Sequence, residues 1–197
     1  MTTSILPMVF SSSWASGINA YLVVLVLGLA EKFGHFSQIP DFFSRTDVLI
    51  GAGVLFAIEF VADKIPYLDS TWDAISTVLR PAVGAAVAYL FAQDHATGEQ
   101  IAYAALGGVT AFASHSVKSG SRLAINTSPE PVTNVAASIG EDLTVAGVMA
   151  LALNHPWIAL GVSGTLLVVG LVVLFLILRR VRHGWRRWKR TEPRTAS

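Results

Sequence analysis

Two groups of charged side chains interrupt long apolar stretches of this chain, and they contain most of its chemically reactive residues. The first group lies before Pro81 and consists of Glu59, Asp63, Lys64, Asp69, Asp73 and Arg80. The second lies in the stretch HSVKSGSRLAINTSPEPVTNVAASIGED and includes His115, Lys118, Arg122, Asn126, Glu130, Asn134, Glu141 and Asp142. Carboxylates inside apolar segments can bind a cation or relay protons, and clustered cationic groups can hold an anionic group.

Helical spacing aligns parts of each group. Glu59 and Asp63 are four residues apart and share a helix face, and His115, Lys118 and Arg122 share a face at intervals of three and four residues. On one interpretation the two faces simply pair and hold the helices together. However, the two groups contain seven acids and four bases, a surplus of three acids. This surplus favours a site that contacts water, protons or a cation.

The segments that carry these groups have the composition of a membrane protein. Hydrophobic residues make up 53% of the 197 positions and charged residues 14%, against about 25% charged residues in soluble domains. Residues 143–178 contain no Asp, Glu, Lys or Arg, and about 20 apolar residues are enough for a helix to cross a bilayer. The sequence therefore predicts an all-α, polytopic helical membrane bundle.

About six spanning helices are predicted, over residues 17–33, 48–64, 73–92, 99–122, 133–153 and 157–180. Residues 4–15 are too few to cross, so they form either a re-entrant helix or one continuous with the next. Pro81 lies either near the start of its helix or at a kink. A weak internal repeat relates GVLFAIEFVADK (53–64) to GGVTAFASHSVK (107–118), and transporters are often built from such repeats with broken helices.

The chain divides into a helical transmembrane domain, residues 1–180, and a basic tail, residues 181–197, that is predicted to be disordered. Residues 179–190, RRVRHGWRRWKR, contain seven of the 14 Lys and Arg residues. The positive-inside rule places this tail in the cytoplasm, and its composition predicts contact with anionic lipid rather than nucleic acid. With six spans, both chain ends lie on that side. Cysteine is absent, which excludes disulfides and thiolate metal sites.

Several motifs resemble those of a known family. The segments LGLAEKFG, EFVADKIPYLDSTWD (59–73), Arg80-Pro81 and the stretch 115–142 resemble the bacterial membrane family catalogued as domain of unknown function 4126. The resemblance implies a polytopic inner-membrane protein without an established activity, and some relatives are expected to carry a basic residue at the position of Asn19. The polar motifs of the family correspond to Glu59, Asp63, Lys64, Asp69, Asp73, His115, Lys118, Arg122, Asn126, Pro129, Asn134, Glu141 and Asp142.

The sequence favours a small transporter or channel linked to a cation or to protons. Its predicted substrate or ion site consists of Glu59, Asp63, Asp69, Asp73, His115, Lys118, Arg122, Asn126, Asn134, Glu141 and Asp142. One alternative is a membrane-embedded enzyme acting on lipid head groups, with Mg²⁺ held by Asp63, Asp69 and Asp73. The other is a non-catalytic scaffold whose charges serve packing alone. The predicted partners are membrane lipid, a small solute or ion, and a second copy of the chain; no cofactor and no catalytic residue are assigned.

Overall fold

The computed structural model describes residues 5–65, 68–125 and 131–191, without the side chains of Asp69, Ser70, Pro131 and residues 183–191. These residues form six α-helices, one short 3₁₀ helix and no strand, which confirms the predicted all-α bundle. The helices are α1 (Leu6–Gly34), α2 (Thr46–Ala62), α3 (Leu68–Phe91), α4 (Thr97–Ile125), α5 (Pro131–Asn154) and α6 (Pro156–Thr191), and the 3₁₀ helix spans Asp41–Ser44.

The ends of the helices follow from local chemistry. Pro7 lies in the first turn of α1, and α5 and α6 begin at Pro131 and Pro156, where the missing N–H of proline costs least. His35 ends α1 in a left-handed conformation, with φ 51°, and its N–H donates to the carbonyl of Glu31. Pro81 lies well inside α3 because this helix begins at Leu68, so the alternative that placed Pro81 near a helix start is wrong.

The outer surface of the bundle is apolar. Four helices are long and apolar enough to cross a membrane: α1, α3 from Thr71, α5 from Val132, and α6 to Arg182. The most apolar of them, α6, is almost entirely exposed, and α2 likewise exposes Ile50, Val54, Ile58 and Val61. Since charged side chains lie inside this bundle and large apolar ones outside, the helices fit a multi-pass membrane protein.

The first helix is broken at Asn19. The backbone there has φ −147° and ψ 95°, values outside the helical range, so α1 consists of two halves, α1a (Leu6–Ile18) and α1b (Ala20–Gly34). A straight helix of 29 residues would be about 43 Å long. Instead, Ile5 lines the same cavity as residues 37–42, which follow the far end of α1. The two halves therefore form a re-entrant hairpin, whereas the sequence predicted a re-entrant helix only for residues 4–15, as one alternative, and a separate span over residues 17–33.

The hairpin changes the path of the chain through the bundle. Ile5 lies beside Phe91 and His95, at the end of the bundle where α4 begins, whereas Leu174 of α6 lies beside Gly120, near the end of α4. The first described residues of the chain and the last described part of α6 therefore lie at opposite ends of the bundle. The prediction that they lie on one side is wrong, because residues 17–33 do not cross as one helix but turn back at Asn19.

Small residues let the central helices approach closely. A Cβ atom on Gly84 of α3 would lie 2.5 Å from the Cβ of Ala111, and one on Gly107 of α4 would lie 2.5 Å from the carbonyl oxygen of Gly84. A Cβ on Gly17 would overlap Ser114 and Ala111, so the tip of α1a also rests directly on α4. This agrees with the general role of glycine and alanine in membrane helix packing.

The last helix extends further than the sequence suggested. Its backbone stays helical to Thr191, within the segment 181–197 for which disorder is predicted. The extension leaves the site unaffected, because the part of α6 that packs on the hairpin lies near its start, where Ser163 Oγ is 3.3 Å from Ser11 Oγ.

Candidate functional site

The charged residues converge where the tip of the α1 hairpin meets α2, α3, α4 and α5. Arg80 and Arg122 are each 1% exposed, Lys118 is 4% exposed and Glu59 is fully buried. Charges buried to this extent persist only when they are paired or face a polar interior. Their partners divide them into two groups, named below after the arginine at the centre of each.

The Arg80 cluster consists of Glu59, Asp73, Arg80 and His115. Arg80 forms an ion pair with Glu59 through Nη2, and its Nη1 lies 3.2 Å from Asp73 Oδ1. The same Nη1 donates to Nδ1 of His115 at 2.8 Å and approaches the carbonyl oxygen of Gly17 at 3.5 Å. One guanidinium therefore links α1a, α2, α3 and α4.

The hydrogen bonds of His115 define its protonation. Arginine only donates, so Nδ1 of His115 must accept from Arg80 and carries no proton. Its Nε2 lies 3.1 Å from Thr77 Oγ1, and that hydroxyl donates to the carbonyl of Asp73 at 2.9 Å. Because the hydroxyl proton is used there, Nε2 carries the imidazole proton and donates it to Thr77. His115 is therefore a neutral member of the cluster.

The Arg122 cluster consists of Asp63, Lys118, Arg122 and Glu141, with Asn134 beside it. Arg122 binds Glu141 through two contacts, Nε to Oε1 at 3.2 Å and Nη2 to Oε2 at 2.6 Å. Its Nη1 donates to the Asp63 carbonyl at 2.8 Å and to Asn134 Oδ1 at 3.3 Å. Lys118 Nζ donates to Asp63 Oδ2 at 2.6 Å and lies 3.4 Å from Glu141 Oε2. Two acids thus face two bases.

The break in α1 contacts both clusters. A helix end leaves backbone carbonyls without partners. At the end of α1a, the carbonyl of Gly17 lies beside Arg80, and the carbonyl of Ile18 accepts a hydrogen bond of 3.1 Å from Lys118. Cations are favourable at a helix C-terminus. The start of α1b is capped by Asn19, whose Oδ1 accepts the N–H of Leu22 at 2.9 Å.

Asn19 also connects the break to α5. Its Nδ2 donates to Asp142 Oδ1 at 2.9 Å, so one amide caps α1b and holds a carboxylate of the neighbouring helix. Lys64 lies further along, where its Nζ is 2.8 Å from the Phe60 carbonyl and 3.3 Å from Ser138 Oγ. The sequence identified Asn19 only as a departure from its relatives, and its role in the break was missed.

The structure describes most of the charged side chains of the two groups. The described side chains of the two groups comprise five acids, Glu59, Asp63, Asp73, Glu141 and Asp142, and four bases, Lys64, Arg80, Lys118 and Arg122. Among these described side chains the acids outnumber the bases by one. The predicted surplus also counted Asp69, whose side chain is not described, and Glu130, which lies outside the described residues.

Several buried carboxylate oxygens nevertheless accept no hydrogen bond. They are Glu59 Oε2, Asp63 Oδ1, both carboxyl oxygens of Asp73, and Asp142 Oδ2. Asp73 differs from the others because neither of its oxygens has a donor. Its Oδ1 is within ion-pair distance of Arg80, but the contact lacks hydrogen-bond geometry. Buried polar atoms of this kind require a proton, a water molecule or a ligand.

A cavity opens beside the Arg122 cluster, between α1a, α4, α5 and α6. It has a volume of about 180 Å³, and its lining includes Lys118 and Glu141 at one end and Trp14, Leu166 and Leu167 elsewhere. The Glu141 side chain is 20% exposed. It is therefore the member of the cluster that a small molecule in the cavity would meet first.

The structure brings together nine of the eleven predicted site residues: Glu59, Asp63, Asp73, His115, Lys118, Arg122, Asn134, Glu141 and Asp142. Asn126 lies outside the described residues, and of Asp69 only the backbone is described. That these residues bind a ligand stays a prediction. Arg80 was absent from the predicted site although it is the centre of one cluster; an arginine within an apolar helix was the signal that could have identified it. Within the described residues, no group of three His, Asp or Glu side chains is placed to hold a metal ion.

Fold and site together define a polytopic helical membrane protein with a buried ionic network at a broken helix. The chain belongs to the family described as domain of unknown function (DUF4126), whose model matches residues 6–176. The match confirms the resemblance seen in the motifs, and it includes both halves of α1 and every residue of the two clusters. No curated protein and no solved structure matches the chain.

Proposed function

We propose that this protein is a small transporter or channel in which the two ion clusters and the tip of the α1 hairpin form the path of a small solute or ion. The observation that carries the proposal is the break at Asn19 inside the ionic network. Transporters place discontinuous helices at their binding sites, because the free backbone groups of half-helices can exchange between internal partners and a ligand. Here Arg80 and Lys118 contact the free carbonyls of Gly17 and Ile18.

The proposal includes a location and an orientation. The protein lies in the inner membrane, with the Arg-rich end of α6 in the cytoplasm. Acidic residues gather at the opposite end, where Asp41 and Asp94 line one cavity with Ile5. The hairpin therefore enters from the non-cytoplasmic side, and its tip separates that side from the cytoplasmic ends of α2 and α4.

The scaffold interpretation is the second candidate, and one observation favours it. The Arg122 cluster is balanced, with each base hydrogen-bonded to carboxylates and backbone carbonyls. Such a network can hold helices together without moving anything. The two candidates differ in whether neutralising a carboxylate stops flux while the protein stays folded.

Flux through liposomes tests the proposal. The purified protein would be reconstituted with a pH-sensitive dye inside, and proton movement would be followed under imposed gradients of pH, sodium, potassium, phosphate and amino acids. We expect wild-type flux above that of empty liposomes under at least one gradient, and a loss of tenfold or more in Glu59→Gln and Glu141→Gln. Asp47→Asn is the matched control, since Asp47 pairs with Arg45 on the exposed surface and its loss should leave flux unchanged.

Two results would count against transport. The first is wild-type flux equal to that of empty liposomes under every gradient. The second is unchanged flux in both carboxylate variants, which would show that the path of the solute does not pass through the clusters. If the variants instead lose thermal stability and paired charge reversals restore it, the scaffold interpretation is correct.

A further inference from the structure

The two clusters differ in charge. Among the described side chains of the Arg122 cluster, Asp63 and Glu141 face Lys118 and Arg122, and their formal charges cancel. In the Arg80 cluster, Arg80 is the one cation within ion-pair distance of Glu59 and Asp73 among the described side chains, because His115 is neutral. With both carboxylates ionised, the Arg80 cluster has a net charge of −1 in the interior of the bundle.

Three of the five unpartnered carboxylate oxygens belong to the Arg80 cluster, and the other two are Asp63 Oδ1 and Asp142 Oδ2. Glu59 is fully buried and its Oε2 has no hydrogen-bond partner; Asp73 is 4% exposed and neither of its oxygens has one. By contrast, the acids of the Arg122 cluster accept short hydrogen bonds from its bases, at 2.6 Å for Asp63 and 2.6 Å for Glu141. A buried ionised carboxylate without donors is strongly disfavoured, whereas a protonated one is neutral and gains a donor of its own.

We propose that Glu59 and Asp73 bind one proton between them, and that this pair is the proton site of the protein. The proton is taken up from a hydronium ion of the bulk solution, which leaves water, and it forms one O–H bond with either carboxylate, so that the net charge of the Arg80 cluster becomes zero. Two acids that share one cation at close range titrate as a pair, so the proton belongs to both. The binding itself follows from the cluster; its use in transport rests on the proposed function.

Other charged groups near the pair do not change this assignment. Glu59 faces Tyr21 from α1 and Lys118 from α4, with Asp63 on its own helix. At longer range, Asp73 faces the cations Lys118 and Arg122 and the acids Asp63 and Glu141. Lys118 is already committed to Asp63 and to the Ile18 carbonyl. His115 cannot accept the proton in this arrangement, because its free nitrogen points at an N–H of Arg80.

The position of the pair suits a switch at the hairpin. Arg80 contacts both carboxylates and also lies 3.5 Å from the Gly17 carbonyl at the end of α1a. Protonation of one carboxylate weakens its hold on Arg80, and loss of that proton restores it. The proton therefore changes how firmly the guanidinium is held beside the free end of α1a.

Infrared difference spectroscopy tests the proton directly. The full-length protein in lipid nanodiscs would be titrated, and the carbonyl band of a protonated carboxyl group followed. We expect this band in the wild type at neutral pH, its loss in Asp73→Asn and in Glu59→Gln, and its retention in Glu141→Gln, the matched control from the balanced cluster. Asp73→Glu keeps the chemistry and should shift the band without removing it, which gives a reading even if the neutralised variants fold poorly.

The proposal is overturned if the wild type shows no such band at neutral pH, or if the band survives both Asp73→Asn and Glu59→Gln. A band that Asp73→Glu leaves unmoved and Glu141→Gln abolishes would also overturn it, by placing the proton in the Arg122 cluster. Flux measured on the same preparations separates the two proposals. A band with the expected behaviour but no flux would support the proton site and refute transport. Flux that Asp73→Asn leaves unchanged would support transport and refute the role of this proton site in coupling.

Discussion

Replacement of Asn19 by alanine should destabilise the protein through two separate contacts. The Oδ1 atom caps α1b at 2.9 Å from the Leu22 nitrogen, and loss of such a cap costs about 1 kcal/mol. The Nδ2 atom donates to Asp142 at 2.9 Å, and a hydrogen bond to a charged group contributes about 1.5–3 kcal/mol. Asn19→Ala should therefore lower the free energy of unfolding by about 2.5–4 kcal/mol.

A second substitution at the same position separates the two contacts. Serine is also a good cap, but its side chain is too short to keep the bond to Asp142. Asn19→Ser should therefore lose only the second contribution, about 1.5–3 kcal/mol. The matched control is Asn154→Ala, because Asn154 is exposed and its one side-chain bond stays within its own helix, to Ala150; its loss should change stability by less than about 0.5 kcal/mol.

Chemical denaturation in detergent would measure these differences. Trp14 is 4% exposed and lies five residues before the break, so its fluorescence reports on the hairpin in a background where the other four tryptophans are replaced by phenylalanine. If Asn19→Ala is no less stable than Asn154→Ala, the amide of Asn19 does not hold the break. If Asn19→Ser is as unstable as Asn19→Ala, the cap contributes nothing and the bond to Asp142 carries the whole effect.

Two further predictions concern the packing of the hairpin and the Arg122 cluster. Gly17→Ala should cost about 1–3 kcal/mol, because its Cβ would overlap atoms of α4, whereas Gly51→Ala, which meets nothing within 4 Å, should stabilise α2 by about 0.5–1 kcal/mol; equal effects in denaturation would contradict the close approach. Arg122→Gln should cost about 3–5 kcal/mol, since it leaves Glu141 without its principal partner. Adding Glu141→Gln should cost less than the sum of the single changes, and a strictly additive double-mutant cycle would show that the pair is not coupled.

The buried charges were predictable and their partners were not. Glu59 and Asp63 share a helix face, as their spacing predicts, yet Glu59 pairs with Arg80 and Asp63 with Lys118. The spacing of side chains along one helix determines which of them share a face. Which base an acid meets depends on the order and depth at which the other helices pack, and a single chain of apolar segments does not reveal that order.

The break in α1 could not be predicted for a related reason. Residues 17–33 are apolar enough to cross a membrane, and no proline marks Asn19 as the place where the helix stops. The break depends on distant residues, because Arg80 and Lys118 supply the donors that the freed carbonyls of Gly17 and Ile18 need. Without these donors an unbroken helix would satisfy the same carbonyls internally. The choice between one crossing and a hairpin was therefore decided by side chains more than 60 residues away.

Arg80 and Lys118 also connect the broken helix to the buried carboxylates, which a cap alone would not do. Lys118 divides its hydrogen bonds between the Ile18 carbonyl and the Asp63 carboxylate, and Arg80 lies between the Gly17 carbonyl and the carboxylates of its own cluster. Under the proposed function, a change that neutralises a carboxylate would therefore shift these cations toward the backbone of α1a, and an anionic ligand that attracts them would do the opposite. Under the proposed function, a hairpin tip held in this way would respond to protons and to ligands through the same two side chains, which is the requirement for coupling one to the other.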